Sequence, residues 1–116
     1  VSTSRAKGTS FETAVVRYLN EHGFPYAERR ALRGTDDRGD IAGVPGVMFE
    51  CKAVRTITLA QFMDEVKVQT KNAAARIGVA VVKRRQKSVG EAYVVMTLEQ
   101  FVGLIGDDDG IRSDTK

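Results

Sequence analysis

The sequence predicts a single α/β domain, a mixed β-sheet flanked by helices with elements in the order α-β-β-β-α-β-β-α. Three observations carry that expectation. Residues 40–52 read as a β-hairpin, because Gly43-Val44-Pro45-Gly46 marks a turn between two strand-like runs. Gly78-Val79-Ala80-Val81-Val82 is an unbroken apolar run rich in valine, the mark of a strand buried on both faces. Between them lies a stretch of helical periodicity, long enough for a right-handed crossover that sets the valine strand parallel within the same sheet. At 116 residues the chain has room for one core and not for two.

Taken in order, Val1 to Gly8 are small, polar and basic, and read as a flexible arm. A first helix is expected from Thr9 to about His22, with Phe11, Val15, Tyr18 and Leu19 at helical spacing and Gly23 as its stop. Phe24 to Leu32 reads as a first strand, and Gly34 to Gly39 as a loop leading into the hairpin. The hairpin comprises a short strand from Asp40, the turn, and a returning strand from Val47 to Lys52.

A second helix should begin after Thr58 and reach about Ala75. Leu59, Phe62, Met63, Val66, Ala73 and Ala74 form its apolar stripe, with Asp64, Glu65, Lys67 and Lys71 outside it. Thr58-Leu59-Ala60-Gln61 fits a capping box, which makes Gln61 structural. The valine strand ends in Lys83-Arg84-Arg85. After a polar connector, Ala92 to Met96 is a further strand and Leu98 to Ile105 a last helix, with Phe101, Val102 and Ile105 inward. Residues 106–116 read as an acidic frayed tail, so the single domain spans 9–105.

A hydrophobic content of 42% and a charged content of 28% are ordinary for a globular protein. No apolar run approaches the ~20 residues that span a bilayer, and the first residues lack the apolar core of a secretory leader. One cysteine and one histidine exclude an internal disulfide and a structural zinc site. A cytoplasmic protein with no membrane association is the expectation. The net charge is +3, but residues 106–116 hold four acids against two bases, so the first 105 residues carry +5. That balance suits a partner made of phosphates.

The hairpin concentrates the chemistry. Alternation along a strand points Glu50 and Lys52 to one face and Phe49 and Cys51 to the other. A turn centred near Val44 and Pro45 brings Asp40 opposite Glu50, or one residue away. Glu50 follows Val47-Met48-Phe49 in an otherwise apolar strand, where a carboxylate has no packing reason to exist. Two acids close together repel unless a cation lies between them, and hard oxygen ligands suit Mg²⁺, with Mn²⁺ as a substitute. The Cys51 backbone carbonyl can add a third oxygen, while its thiol fills core space. An ammonium at Lys52 can hold a water or neutralise charge on a scissile phosphate. The plain alternatives are a turn-closing aspartate at 40 and a solvated Glu50–Lys52 ion pair worth little.

Glu12 has two readings. Thr9-Ser10-Phe11-Glu12 fits a capping box, which makes the glutamate a helix-start device. Its second reading, as an acid for the metal site, is what a family resemblance implies. The basic residues divide into Arg5, Lys7, Arg29, Arg30, Arg33 and Arg38 before the acids, and Lys83, Arg84, Arg85 and Lys87 after the valine strand. Such groups would contact DNA phosphates and supply affinity without reading sequence. The tyrosines and phenylalanines mostly fall on apolar stripes, so no aromatic-rich binding surface is expected.

The motifs Gly39-Asp40-Ile41 and Glu50-Cys51-Lys52 resemble the metal site of PD-(D/E)XK nucleases, with Gly39 where proline is usual. Together with Lys7-Gly8-Thr9-Ser10-Phe11-Glu12, the helix to Gly23-Phe24, and Gly78 to Lys83, they resemble a small archaeal-type Holliday junction resolvase, a form also found in phages. The resemblance covers roughly residues 5–97. It implies a restriction-endonuclease-like fold, an active site of Glu12, Asp40, Glu50 and Lys52, and Mg²⁺ as cofactor. It further implies a homodimer cutting four-way junctions, and residence in the host cytoplasm if phage-encoded. By the same resemblance, Thr35 matches a hydroxyl residue in the loop before the aspartate, and Gln69 a polar residue near the site. Rival readings are a nuclease for flaps, single strands or restriction-type duplex sites, a DNA-binding accessory module with silent acids, and a protein-interaction domain.

Overall fold

The computed structural model describes residues 4–31 and 36–107. Its elements are α1 (Ser4–Glu21), β1 (Glu28–Arg29), β2 (Ile41–Ala42), β3 (Val47–Lys52), α2 (Leu59–Asn72), β4 (Ile77–Val82), a 3₁₀ turn (Val89–Glu91), β5 (Tyr93–Val95) and α3 (Leu98–Asp107). The strands form one mixed sheet in the order β1-β2-β3-β4-β5. β3 and β4 are parallel, joined through α2, and every other pairing is antiparallel. This is an α/β fold with helices on the sheet's two faces.

The period of two along β3 sorts the core. Phe49 and Cys51 pack with Phe11 and Val15 of α1 and with Ile77, Val79 and Val81. Met48 instead joins Ala80 and Val82 against Phe62 and Val66 of α2. Burying Phe62 and Val66 contributes about 1.5–3 kcal/mol each. All six β4 residues are buried, as a strand covered on both sides requires. A Cβ at Gly78 would run into Thr70 of α2, so the helix rests on bare strand backbone there.

Several elements differ from the sequence-based expectation. α1 begins at Ser4, so residues 4–8 are helical and not a flexible arm; Arg, Ala and Lys at 5–7 are good helix formers that carry the helix through Gly8. The first strand shrinks from 24–32 to Glu28–Arg29. Its partner β2 offers only two ladder positions, and the backbone at Phe24–Ala27 is spent in a turn, with Ala27 N–H donating to Phe24 O. α2 stops at Asn72, with Leu59 and Ala74 exposed. At its start Thr58 makes no side-chain cap bond to the backbone, and its hydroxyl lies 3.4 Å from Gln61 Oε1. α3 runs on to Asp107, and Phe101, Val102 and Ile105 are exposed. Leu104 packs on the core that includes β4, and Gln100 Oε1 accepts from the Gly78 N–H.

Candidate functional site

Asp40 stands one residue before β2, and its position is fixed by backbone bonds. Its N–H donates to Phe49 O at 2.8 Å, and the Cys51 N–H donates to Asp40 Oδ2 at 2.7 Å. Ile41 pairs with Phe49, so one step further along the ladder sets Asp40 across from Glu50. A strand residue's N–H and C=O face the same neighbour, which puts the Cys51 carbonyl on Asp40's side.

Gly39 explains why proline is missing before this aspartate. Its φ of +92° is out of reach of a ring that fixes φ near about −65°. Any Cβ there would lie 2.5 Å from Met48 Sδ and 2.7 Å from Phe49 O.

Glu50 is buried on the α2 face of the sheet, in register with Ala80. Its Oε2 lies 3.3 Å from Lys52 Nζ. Its Oε1 is buried with no hydrogen-bond partner among the described residues. Lys52 makes a closer contact to Glu65 Oε1 of α2, at 2.6 Å, and its ammonium lies 5.0 Å from the centre of the Phe62 ring. Burial alone would lower the Lys52 pKa, but Glu65 and Glu50 outweigh it and the net shift is upward, so the lysine stays charged.

The two carboxyls facing each other across the hairpin cannot both be comfortably ionised. Burial, then the charge of Glu50, push Asp40 up to about 8, against a donor bond from Cys51 that favours the charged form. Glu12 adds a smaller push in the same direction. A proton on Asp40, which can be shared with Glu50, or a cation between them relieves the pair. Burial likewise pushes the Cys51 thiol up, which keeps it protonated and a poor nucleophile.

Glu12 does not cap a helix, because α1 starts well before Thr9. Its Oε1 instead accepts from Arg29 Nε at 3.1 Å, while its charge reaches Asp40 and Cys51. It lies near the acid pair yet is held by Arg29. Among the described residues no three His, Cys, Asp or Glu side chains converge on one point.

Gln69 is buried and donates to Asp37 Oδ2 at 2.7 Å, while Asp37 Oδ1 accepts from the Gly39 N–H at 2.9 Å. Asn72 adds a bond to the Asp37 carbonyl. Gln69 therefore clamps the loop that delivers Asp40. Sequence reasoning overlooked Glu65 and Asp37. Glu65 had a signal, lying three residues after Phe62 and next to Val66 on the buried side of α2. Asp37 makes a local turn bond to Gly39, but its clamp by Gln69 and Asn72 comes from a distant helix that no local pattern encodes.

The basic residues split into two environments. Arg29, Arg30 and Arg38 line a cavity of about 480 Å³ together with Glu28, Asp36 and Asp37, so acids and bases are mixed there, and the buried Arg30 Nε has no hydrogen-bond partner among the described residues. Lys83, Arg84 and Arg85 line another of about 290 Å³ with Arg55 and Tyr93. Lys7 and Lys87 are exposed, Arg5 falls in the first turn of α1, and Arg33 and Thr35 lie outside the described residues. The tyrosines do not sit on buried stripes: Tyr18, Tyr26 and Tyr93 are all exposed.

No helix among the described residues is long and apolar enough to cross a membrane. Comparison of the chain with protein-family models, with curated proteins and with solved structures gives no match.

Proposed function

We propose that the chain is a divalent-metal-dependent endodeoxyribonuclease with a restriction-endonuclease-like fold, acting on branched DNA such as a four-way junction. One observation carries the reading: Asp40 stands across the hairpin from Glu50, whose buried Oε1 has no hydrogen-bond partner among the described residues. An all-oxygen donor set of that kind fits Mg²⁺ or Mn²⁺. Asp40, Glu50 and the Cys51 carbonyl would hold the ion, with Glu12 reaching in on release from Arg29. When bound, it supplies a more acidic water and polarises the phosphodiester.

The chain's own side chains do the rest. Asp40 gives up its proton to become a ligand. Lys52, kept charged by Glu65 and Glu50, presents an ammonium beside the carboxylates, where it can orient the attacking water or offset charge developing on the phosphate. Working as a homodimer would set two such sites on opposing strands of a junction. Val94, Phe101 and Val102, exposed around β5 and α3, are apolar surface a second copy would cover.

The test is cleavage of labelled four-way junctions, flaps and linear duplex, with Mg²⁺ and with chelator. The expected result is cation-dependent cutting at branches. Glu50→Gln and Asp40→Asn should each lose about 10³-fold in rate while still binding the junction. Equal cutting of plain duplex overturns the branched substrate, and no cutting with either cation overturns the nuclease.

A further inference from the structure

Among the described residues, the cavity beyond the C-terminal ends of β3 and β4 sets basic and apolar side chains side by side. Four cations, Arg55, Lys83, Arg84 and Arg85, surround it. Among the described residues the acid found on any of them is Glu91, 3.6 Å from Arg84. Its remaining walls are apolar and open to solvent: Val54, Ile57 and Tyr93 are each about half exposed. Four cations with one acid among them, set beside exposed aliphatic and aromatic groups, suit a ligand that carries both negative charge and a flat apolar face.

Register ties this cavity to the acid pair. Lys52 pairs with Val82, and Val82 with Tyr93, so the three side chains share the α2 face of the sheet with Glu50. Two strand spacings separate Lys52 from Tyr93, about 10 Å. The Lys83 N–H donates to Lys52 O at 2.9 Å, so the basic cluster starts where the candidate site ends. The Arg84 guanidinium lies 5.0 Å from the centre of the Tyr93 ring, which is about half exposed.

We infer that this cavity binds an unpaired nucleotide, with Tyr93 stacking on the base and Arg55, Lys83 and Arg85 holding the flanking phosphates. A free phosphate would have no use for the exposed apolar wall, and a base inside continuous duplex offers no face to stack on. The inference rests on the nuclease reading and narrows it: among branched substrates it favours those that present an unpaired nucleotide beside the scissile bond.

The test is binding, in chelator so that nothing is cut, of fluorescently labelled oligothymidylate, the same strand with abasic positions, and duplex. Wild type should prefer the oligothymidylate to both. Tyr93→Ala should weaken oligothymidylate binding about tenfold and leave the abasic strand unchanged, while Tyr93→Phe restores it. Arg55→Ala and Arg85→Ala should weaken both single strands and each flatten the salt dependence by about 0.7 in slope. Equal binding of oligothymidylate by wild type and Tyr93→Ala overturns the inference, as does equal loss on the abasic strand or tighter binding of duplex. A protein that binds as expected but never cuts with Mg²⁺ or Mn²⁺ overturns the nuclease and keeps the cavity. Junction cutting with Tyr93-independent binding does the reverse.

Discussion

β3 and β4 are parallel neighbours of equal length, each covered by α1 on one face and α2 on the other. β4 fills this setting as physics prefers, with six buried apolar or small residues. β3 places Glu50 beside Ala80 and Lys52 beside Val82. The same slots can hold alanine and valine, so packing does not call for charge in β3. Desolvating these ions is unfavourable, and Lys52, Glu65 and a proton on Asp40 only partly offset it. The contrast teaches that the charge in β3 is not something this layer's packing asks for.

The strongest way to break the comparison is to give β4 what β3 has. Ala80→Asp, at a position with no exposure, should cost about 4 kcal/mol or more, read as a collapse of the urea midpoint. Glu50→Gln in chelator should leave that midpoint unchanged or raise it. Tolerance of Ala80→Asp would mean that this layer accepts charge generally and that β3 is not special.

A smaller effect sharpens the role of Asp40. The folded protein keeps this proton to about pH 8, whereas the unfolded chain releases it near 3.8. Folding therefore takes up a proton between those values, and stability falls as pH rises from about 4 through 8. In chelator the wild-type melting temperature should drop by roughly 5 °C or more across that window, and Asp40→Asn should remove the drop. Mn²⁺ should restore most of the loss in wild type at pH 8.5 and none in Asp40→Asn.

The smallest effect concerns Lys52. Glu65→Gln removes the closer of its two carboxylate contacts, so burial should win and its pKa should move down, measurable by NMR of the ammonium. The stability loss should stay near 1 kcal/mol, because Glu65 is partly exposed.

The parts of the fold fixed by local chemistry were legible in the residue order. The hairpin was readable because Gly43 to Gly46 marks its turn, and the alternation of Phe49, Glu50, Cys51 and Lys52 then dictates which side chains share a face. The valine strand was readable because nothing in it is polar. Elements decided by distant partners were not. The length of β1 depends on how much of β2 is available, and the exposure of Phe101 and Val102 on what α3 meets. At the site, Asp40, Glu50 and Lys52 meet as their spacing suggested, whereas the Glu12–Arg29 and Lys52–Glu65 pairs come from elements whose approach no local pattern encodes. The metal and the substrate remain proposals, since carboxylate spacing constrains donor chemistry and not the reaction it serves.

Gly78 has a consequence well away from its own strand. Because it carries no side chain, Thr70 of α2 stands where a Cβ at 78 would lie, and on the same helix Glu65 meets Lys52 at 2.6 Å. A single methyl added at 78 would act as a shim under the helix, widening the gap at the lysine without altering any charged group. The dimensions of the charged centre are thus inherited from a hydrogen atom on the neighbouring strand.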